Sequence, residues 1–170
     1  MLSDPLLASS GNAESAGWKA TLLAFLDAPS FAALVLRLVV STMVIHHGLD
    51  KIYNAEVFTK GILEPYFSFL SFGGLVPLTF WAYASAFVEL VAPIFLLLGF
   101  YARPAAFLIF VVVGIFANAF HFAATGLQGY PFGDPTTKAY AFEPSVLVGT
   151  GAFYFVFAGP GKYAMREDGF

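Results

Sequence analysis

The stretch from Phe31 to Asn54, FAALVLRLVVSTMVIHHGLDKIYN, constrains the fold of this chain more than any other. It opens as an apolar run long enough to cross a bilayer, holds Arg37 about two turns inside, and closes on His46-His47-Gly48, Asp50 and Lys51. A charged side chain in hydrocarbon costs at least ~2.5 kcal/mol, so Arg37 must face the interior of a helix bundle and find a partner there. Three more apolar runs follow, at 78–98, 105–123 and from Glu143-Pro144 to Gly159-Pro160-Gly161, and the first of these three contains Glu89.

Composition agrees with the runs. Hydrophobic residues make up 59% of the 170 and charged ones only 11%, where soluble chains carry roughly a quarter. The expected fold is therefore all-α: a polytopic membrane protein, an antiparallel four-transmembrane-helix bundle preceded by an N-terminal interfacial helix. A net charge of -3 with no basic block provides no footprint for nucleic acid. The absence of cysteine excludes thiolate and disulfide chemistry by this chain. With three histidines and no Glu-x-x-His spacing, no metal site is expected.

In chain order, residues 1–30 form a polar tail, without the basic and apolar regions of a signal peptide, and an amphipathic interfacial helix near 18–26. Residues 31–163 form the membrane domain and 164–170 a polar C-terminal tail. Within the membrane domain the first helix is expected to end near Gly48. The segment 56–77 is broken by Gly61, Pro65, Gly73 and Gly74 and carries Phe58, Tyr66, Phe67, Phe69 and Phe72, which suits an aromatic half-helix at the interface. Gly99 to Pro104 is a short turn, so the following helix returns antiparallel. On that helix Asn118 and His121 share a face, with Gly114 as a point of close helix approach. The loop 125–142 is punctuated by Tyr130-Pro131-Phe132-Gly133-Asp134-Pro135. Four spans put both termini on one side. Lys19, Arg103, Lys162 and Arg166 there, against Lys51, Lys60 and Lys138 opposite, place that side in the cytoplasm.

Two groups of side chains are candidates for function. Helical depth brings Arg37 and Glu89 to a similar level, which makes them an expected buried ion pair, either bracing two helices or handling protons or a ligand. His47, Asn118, His121 and Glu143 fall near the opposite boundary as ligand-binding candidates, with His46 turned about 100° away from His47. Their donors beside Phe-rich walls suit the carbonyl oxygens of a quinone headgroup, and the alternative is ordinary interfacial polarity. A haem or chlorophyll-like macrocycle held between His47 and His121 is not expected.

The order Arg37, His47-Gly48-x-x-Lys51, Gly74-x-x-Pro77, Glu89, Gly99-x-x-x-Arg103 and Gly159-Pro160-Gly161-Lys162-Tyr163 resembles the DoxX family of small four-helix integral membrane proteins, over roughly Phe31 to Tyr163. Where family members commonly continue Ser-Leu-Asp, this chain has Ala164-Met165-Arg166. The family takes its name from a subunit of a thiosulfate:quinone oxidoreductase, and its members are described as membrane partners of redox or stress enzymes. The resemblance thus implies an accessory subunit in the lipid bilayer of a bacterial inner (plasma) membrane, anchoring a soluble oxidoreductase and offering a quinone site. Catalysis by the chain alone is not expected. The alternatives are a non-catalytic scaffold for a larger membrane complex and a carrier of a small solute or proton.

Overall fold

The computed structural model describes residues 28–129, 133–134, 136–137 and 139–166, together with Gly17 and Ala20. The expected N-terminal tail and interfacial helix lie almost wholly outside the described residues, as do Tyr130, Pro131, Phe132, Pro135 and Lys138 of the long loop and the last four residues. Among the described residues no strand occurs. Four longer helices are joined by short turns, a helical cap and the 125–142 loop: α1 (Ala28–Tyr53), α2 (Leu78–Leu98), α3 (Ala102–Thr125) and α4 (Glu143–Ala158). α1, α2 and α3 are each long and apolar enough to cross a membrane. α4, at 16 residues, covers about 24 Å, less than the ~30 Å of a typical hydrocarbon core. α1 packs on α2, α2 on α3, α3 on α4 and α4 on α1, so the helices close into a ring.

The ring is apolar outside and small inside. Val35, Leu38, Val39, Met43, Phe87, Ile94, Phe107, Leu147 and Phe157 point outward and are exposed, while Ala33, Ala82, Ala86, Ala92, Ala102, Ala105, Ala106 and Ala152 are buried. Lipid tails are as apolar as leucine, so helices in a bilayer associate through small residues that let their backbones approach. Gly114 and Gly149 are the closest instance: a Cβ on Gly149 would lie 2.5 Å from the Gly114 Cα. α3 is π-helical from Phe110 to Ala117, around that crossing.

α1 continues past Gly48 to Tyr53, which corrects the expected end of the first helix. Glycine stops a helix when the chain needs a left-handed turn. Here it serves packing: a Cβ at Gly48 would be 3.0 Å from Leu90 Cγ and 3.1 Å from the Glu89 carbonyl carbon. The helix ends instead at Asn54, whose Nδ2 donates to Asp50 Oδ1 at 2.8 Å.

At the end of the ring where α1 begins, two arginines supply hydrogen bonds that hydrocarbon cannot. α2 stops at Gly99, in the left-handed region at φ 71°. Its last carbonyls need outside donors. Arg37 donates through Nη1 to Leu97 O at 3.2 Å and through Nη2 to Tyr163 O at 2.7 Å. The C-terminal segment completes the set, with Met165 N on Leu98 O and Arg166 N on Gly99 O, so ordered contacts run beyond Tyr163. Arg103 does the same for α4, donating through Nη1 to Val156 O at 2.9 Å and Phe157 O at 2.6 Å.

The glycine crossing makes a stability prediction. Gly149→Ala forces α3 and α4 apart and is expected to lower unfolding free energy by about 1–3 kcal/mol, the usual cost of overpacking. Gly61→Ala, with nothing within 4 Å of the added methyl, is expected to be neutral or mildly stabilising. Thermal unfolding of the two variants in the same detergent checks the contrast.

Candidate functional site

The register of α1 on α2 decides which charges meet. Arg37 bonds to Leu97 O, and Ser41 Oγ donates to Pro93 O at 3.0 Å, so the two helices run antiparallel with each step along one matched by a step back along the other. Glu89 is eight residues from Leu97, about 12 Å along the axis. Direction separates the charges further, because helical side chains lean toward their own N-terminus. Arg37 leans toward the end where α1 begins, and Glu89 leans toward the opposite end. The expected Arg37–Glu89 pair is therefore not formed.

Glu89 pairs with Lys51 instead, Nζ to Oε1 at 2.6 Å, with the carboxylate side chain only 2% exposed. Lys51 is not among the residues expected to form the site, although it stands one turn after His47 on the same face. Such i, i+4 spacing is the signal that identifies it, once α1 is known to continue through Gly48. Lys51 and Glu89 lean toward each other across the antiparallel pair. The Lys51 ammonium also lies 4.8 Å from the Phe58 ring centroid, a cation–π contact on its far side.

Two histidines join this pair. His47 lies one turn before Lys51 on the same face of α1, and His121 follows Phe120, whose ring packs on Tyr66 of the cap. His47 is exposed at the rim, and His121 is half-buried with its ring 4.9 Å from that of Phe120. His46 is exposed beside His47, ring centroids 5.9 Å apart. Four titratable side chains from α1, α2 and α3 thus lie at one end of the ring, and two of them, Lys51 and Glu89, are in contact.

The cap covers that end. It runs from Ala55–Phe58 through a π turn at Thr59–Leu63 and Glu64–Phe67 to a 3-10 turn at Ser68–Ser71. Tyr66 packs edge-on against Phe120 at 5.3 Å and Phe67 against Phe116 at 5.7 Å, both on α3. Trp81 Nε1 donates to Leu70 O at 2.9 Å, tying the cap to α2. The aromatic run is a helical cap that turns Tyr66 and Phe67 onto the bundle and leaves Phe69 and Phe72 exposed.

Asn118 and Glu143 are engaged elsewhere. Asn118 Nδ2 donates to Gly114 O at 2.8 Å and its Oδ1 accepts from Ser145 Oγ at 2.6 Å, a clasp between α3 and α4 beside the glycine crossing. Ser145, which no motif in the sequence marks out, is the partner Asn118 needs. Glu143 Oε1 accepts from Tyr140 N at 2.9 Å and closes the turn that starts α4. A cavity of about 400 Å³ lies in the loop, lined in part by Gln128, Asp134 and Tyr140, and not at the histidines. Asp134 organises that loop: Oδ1 accepts from the Thr136 hydroxyl and from the backbone N–H groups of Thr136 and Thr137, which holds its carboxyl below the usual range. Among the described residues no three His, Asp or Glu side chains form a metal-ligand group.

The family model described as DoxX matches residues 32–122, more than half of the chain, and includes Arg37, His47, Lys51, Glu89, Arg103 and His121. The chain belongs to the DoxX family. It is an integral membrane protein, with apolar helix faces that meet lipid. No curated protein and no solved structure matches it. The DoxX residues divide between the two ends of the ring, Arg37 and Arg103 on helix-end carbonyls at one, His47, Lys51, Glu89 and His121 at the other.

The change of partner is measurable. Lys51→Met and Glu89→Leu are each expected to destabilise the detergent-solubilised protein by about 3 kcal/mol or more, and the double variant to recover most of that loss, because neither charge is then left alone. Arg37→Leu combined with Glu89→Leu is expected to be additive. Chemical unfolding of the single and double variants tests both statements.

Proposed function

We propose that this DoxX protein is an accessory subunit of a redox complex that offers a quinone site at the capped end of the ring and anchors a soluble oxidoreductase. The observation that supports it is the buried Lys51–Glu89 pair, at the same end of the ring as His47 and His121 and next to an aromatic cap. Reducing a quinone to the quinol takes two electrons and two protons. The electrons come from the partner oxidoreductase, since this chain has no cysteine and no dinucleotide fingerprint. The protons are what the site handles. His47, exposed at the rim, exchanges protons with the aqueous face, while His121 stands deeper and passes them toward a ring oxygen, and Glu89 stays ionised beside Lys51. Imidazole N–H groups donate to the ring oxygens and the phenyl walls hold the ring.

The same reading takes α4 as a fourth span, short enough to require local thinning of the bilayer, and both termini as cytoplasmic in a bacterial inner membrane. A carrier through Arg37 and Glu89 loses its support, because the two charges lean toward opposite ends of the ring. A scaffold keeps one observation in its favour, the exposed Phe69, Phe72 and Leu75 on and after the cap.

His47→Phe and His121→Phe are expected to lower quinone retention or quinone-linked activity of the native complex by about tenfold, the loss of one hydrogen bond from a filled site, with folding intact. His46→Phe is expected to do much less. Equal quinone in all three preparations, or none in the native complex, favours the scaffold. Asn12→Cys and Thr136→Cys, placed singly in this cysteine-free chain, are expected to react with an impermeant thiol reagent from opposite sides of the membrane.

A further inference from the structure

The Lys51–Glu89 pair leaves one oxygen of the carboxylate over. Oε1 accepts from Lys51 Nζ, while Oε2 is buried and receives a hydrogen bond from no protein group among the described residues. A carboxylate held in an ion pair is acceptor-only, and a buried acceptor without a donor is destabilising. The arrangement also fixes which oxygen is free. Lys51 is held by Oε1 and by the Phe58 ring, which leaves Oε2 as the oxygen without a donor. What completes such an oxygen is a ligand that donates.

Oε2 is closed off in this structure, so a ligand reaches it only when something moves. The cap is bounded by a bend at each end. Asn54, at φ -119° and ψ 29°, breaks the helix between α1 and the cap. At the far end Phe72, Gly73 and Gly74 stand consecutively in the left-handed region, at φ 48°, 71° and 94°, with nothing within 4 Å of where either glycine would carry a Cβ. A ligand reaches the pair if the cap turns at these two points and lifts Phe58 from Lys51.

We propose that Glu89 Oε2 is the acceptor for a ring hydroxyl, so that the site distinguishes a hydroquinone from the corresponding quinone and binds the hydroquinone more tightly. The proposal rests on the quinone reading and adds to it the redox form that the site prefers. The histidines serve either form, since an imidazole both donates and accepts. Glu89 serves only a donor.

Three short-chain ring ligands test this on the purified wild-type protein by anaerobic equilibrium dialysis: a benzohydroquinone, its quinone and its dimethyl ether. The hydroquinone is expected to bind about tenfold or more tightly than either other ligand, the worth of one charge-assisted hydrogen bond. The quinone carries no added methyl groups and so controls for the bulk of the ether. In Glu89→Gln the donor-only Lys51 must face the amide oxygen, which puts the amide NH₂ where Oε2 was, and the preference is expected to pass to the quinone. Equal binding of hydroquinone and quinone by the wild type overturns the inference and leaves the quinone reading standing. Binding of none of the three overturns both. The wild-type panel decides the matter even if the Gln variant fails to fold.

Discussion

The last carbonyls of a helix have no partner within it, and the need to supply them with donors organises one end of this protein. Arg37 reaches from α1 to the last turn of α2 and to the C-terminal segment, and Arg103 reaches from α3 to the last turn of α4. Each guanidinium is a fork of donors with no acceptor, which suits it to several carbonyls at once. Arg37 is buried, the largest of the fully buried side chains among the described residues. Its charge faces oriented carbonyl dipoles at the negative end of α2, and among the described residues no acid pairs with it.

The opposite end is built on another principle. There the charges are an acid and a base that pair with each other, with two imidazoles at the same end. The polarity of the side chains themselves enforces this division. Helical side chains lean toward their own N-terminus, so in an antiparallel pair an arginine on α1 and a glutamate on α2 are carried apart, while a lysine nearer the far end of α1 is carried toward the same glutamate. One end holds its charge on carbonyls, and the other holds its charges on each other.

Much of the helical framework is legible in the sequence because apolar runs and terminators carry it directly: the run 78–98 becomes α2 at Leu78–Leu98, and α4 starts at Glu143-Pro144 and stops at Gly159 as its terminators imply. The partner of Glu89 is not legible, because depth counted from helix ends ignores both the register between helices and the lean of side chains. Gly48 misleads for a related reason. As a sequence signal a glycine after His46-His47 reads as a stop, and only the approach of the α2 backbone reveals that the missing Cβ serves packing. Asn118 has the polarity expected of it and a different partner, since Ser145 lies 27 residues away across a long loop.

Gly48 links the fold to the site. α1 can lie against the backbone at Glu89 only because residue 48 has no side chain, and it lies there where Pro93, lacking an N–H, gives the Glu89 carbonyl no partner one turn on. Close approach at this point lets α1 continue as a helix to Tyr53, and the continued helix puts Lys51 one turn beyond His47, facing Glu89. A larger residue at 48 would push the helices apart where the ion pair forms, and a buried carboxylate separated from its lysine destabilises the fold far more than looser packing at one glycine does. The site is thus a consequence of how tightly two helices pack: the glycine sets their separation, the separation sets the pair, and the pair holds Glu89 Oε2 in place.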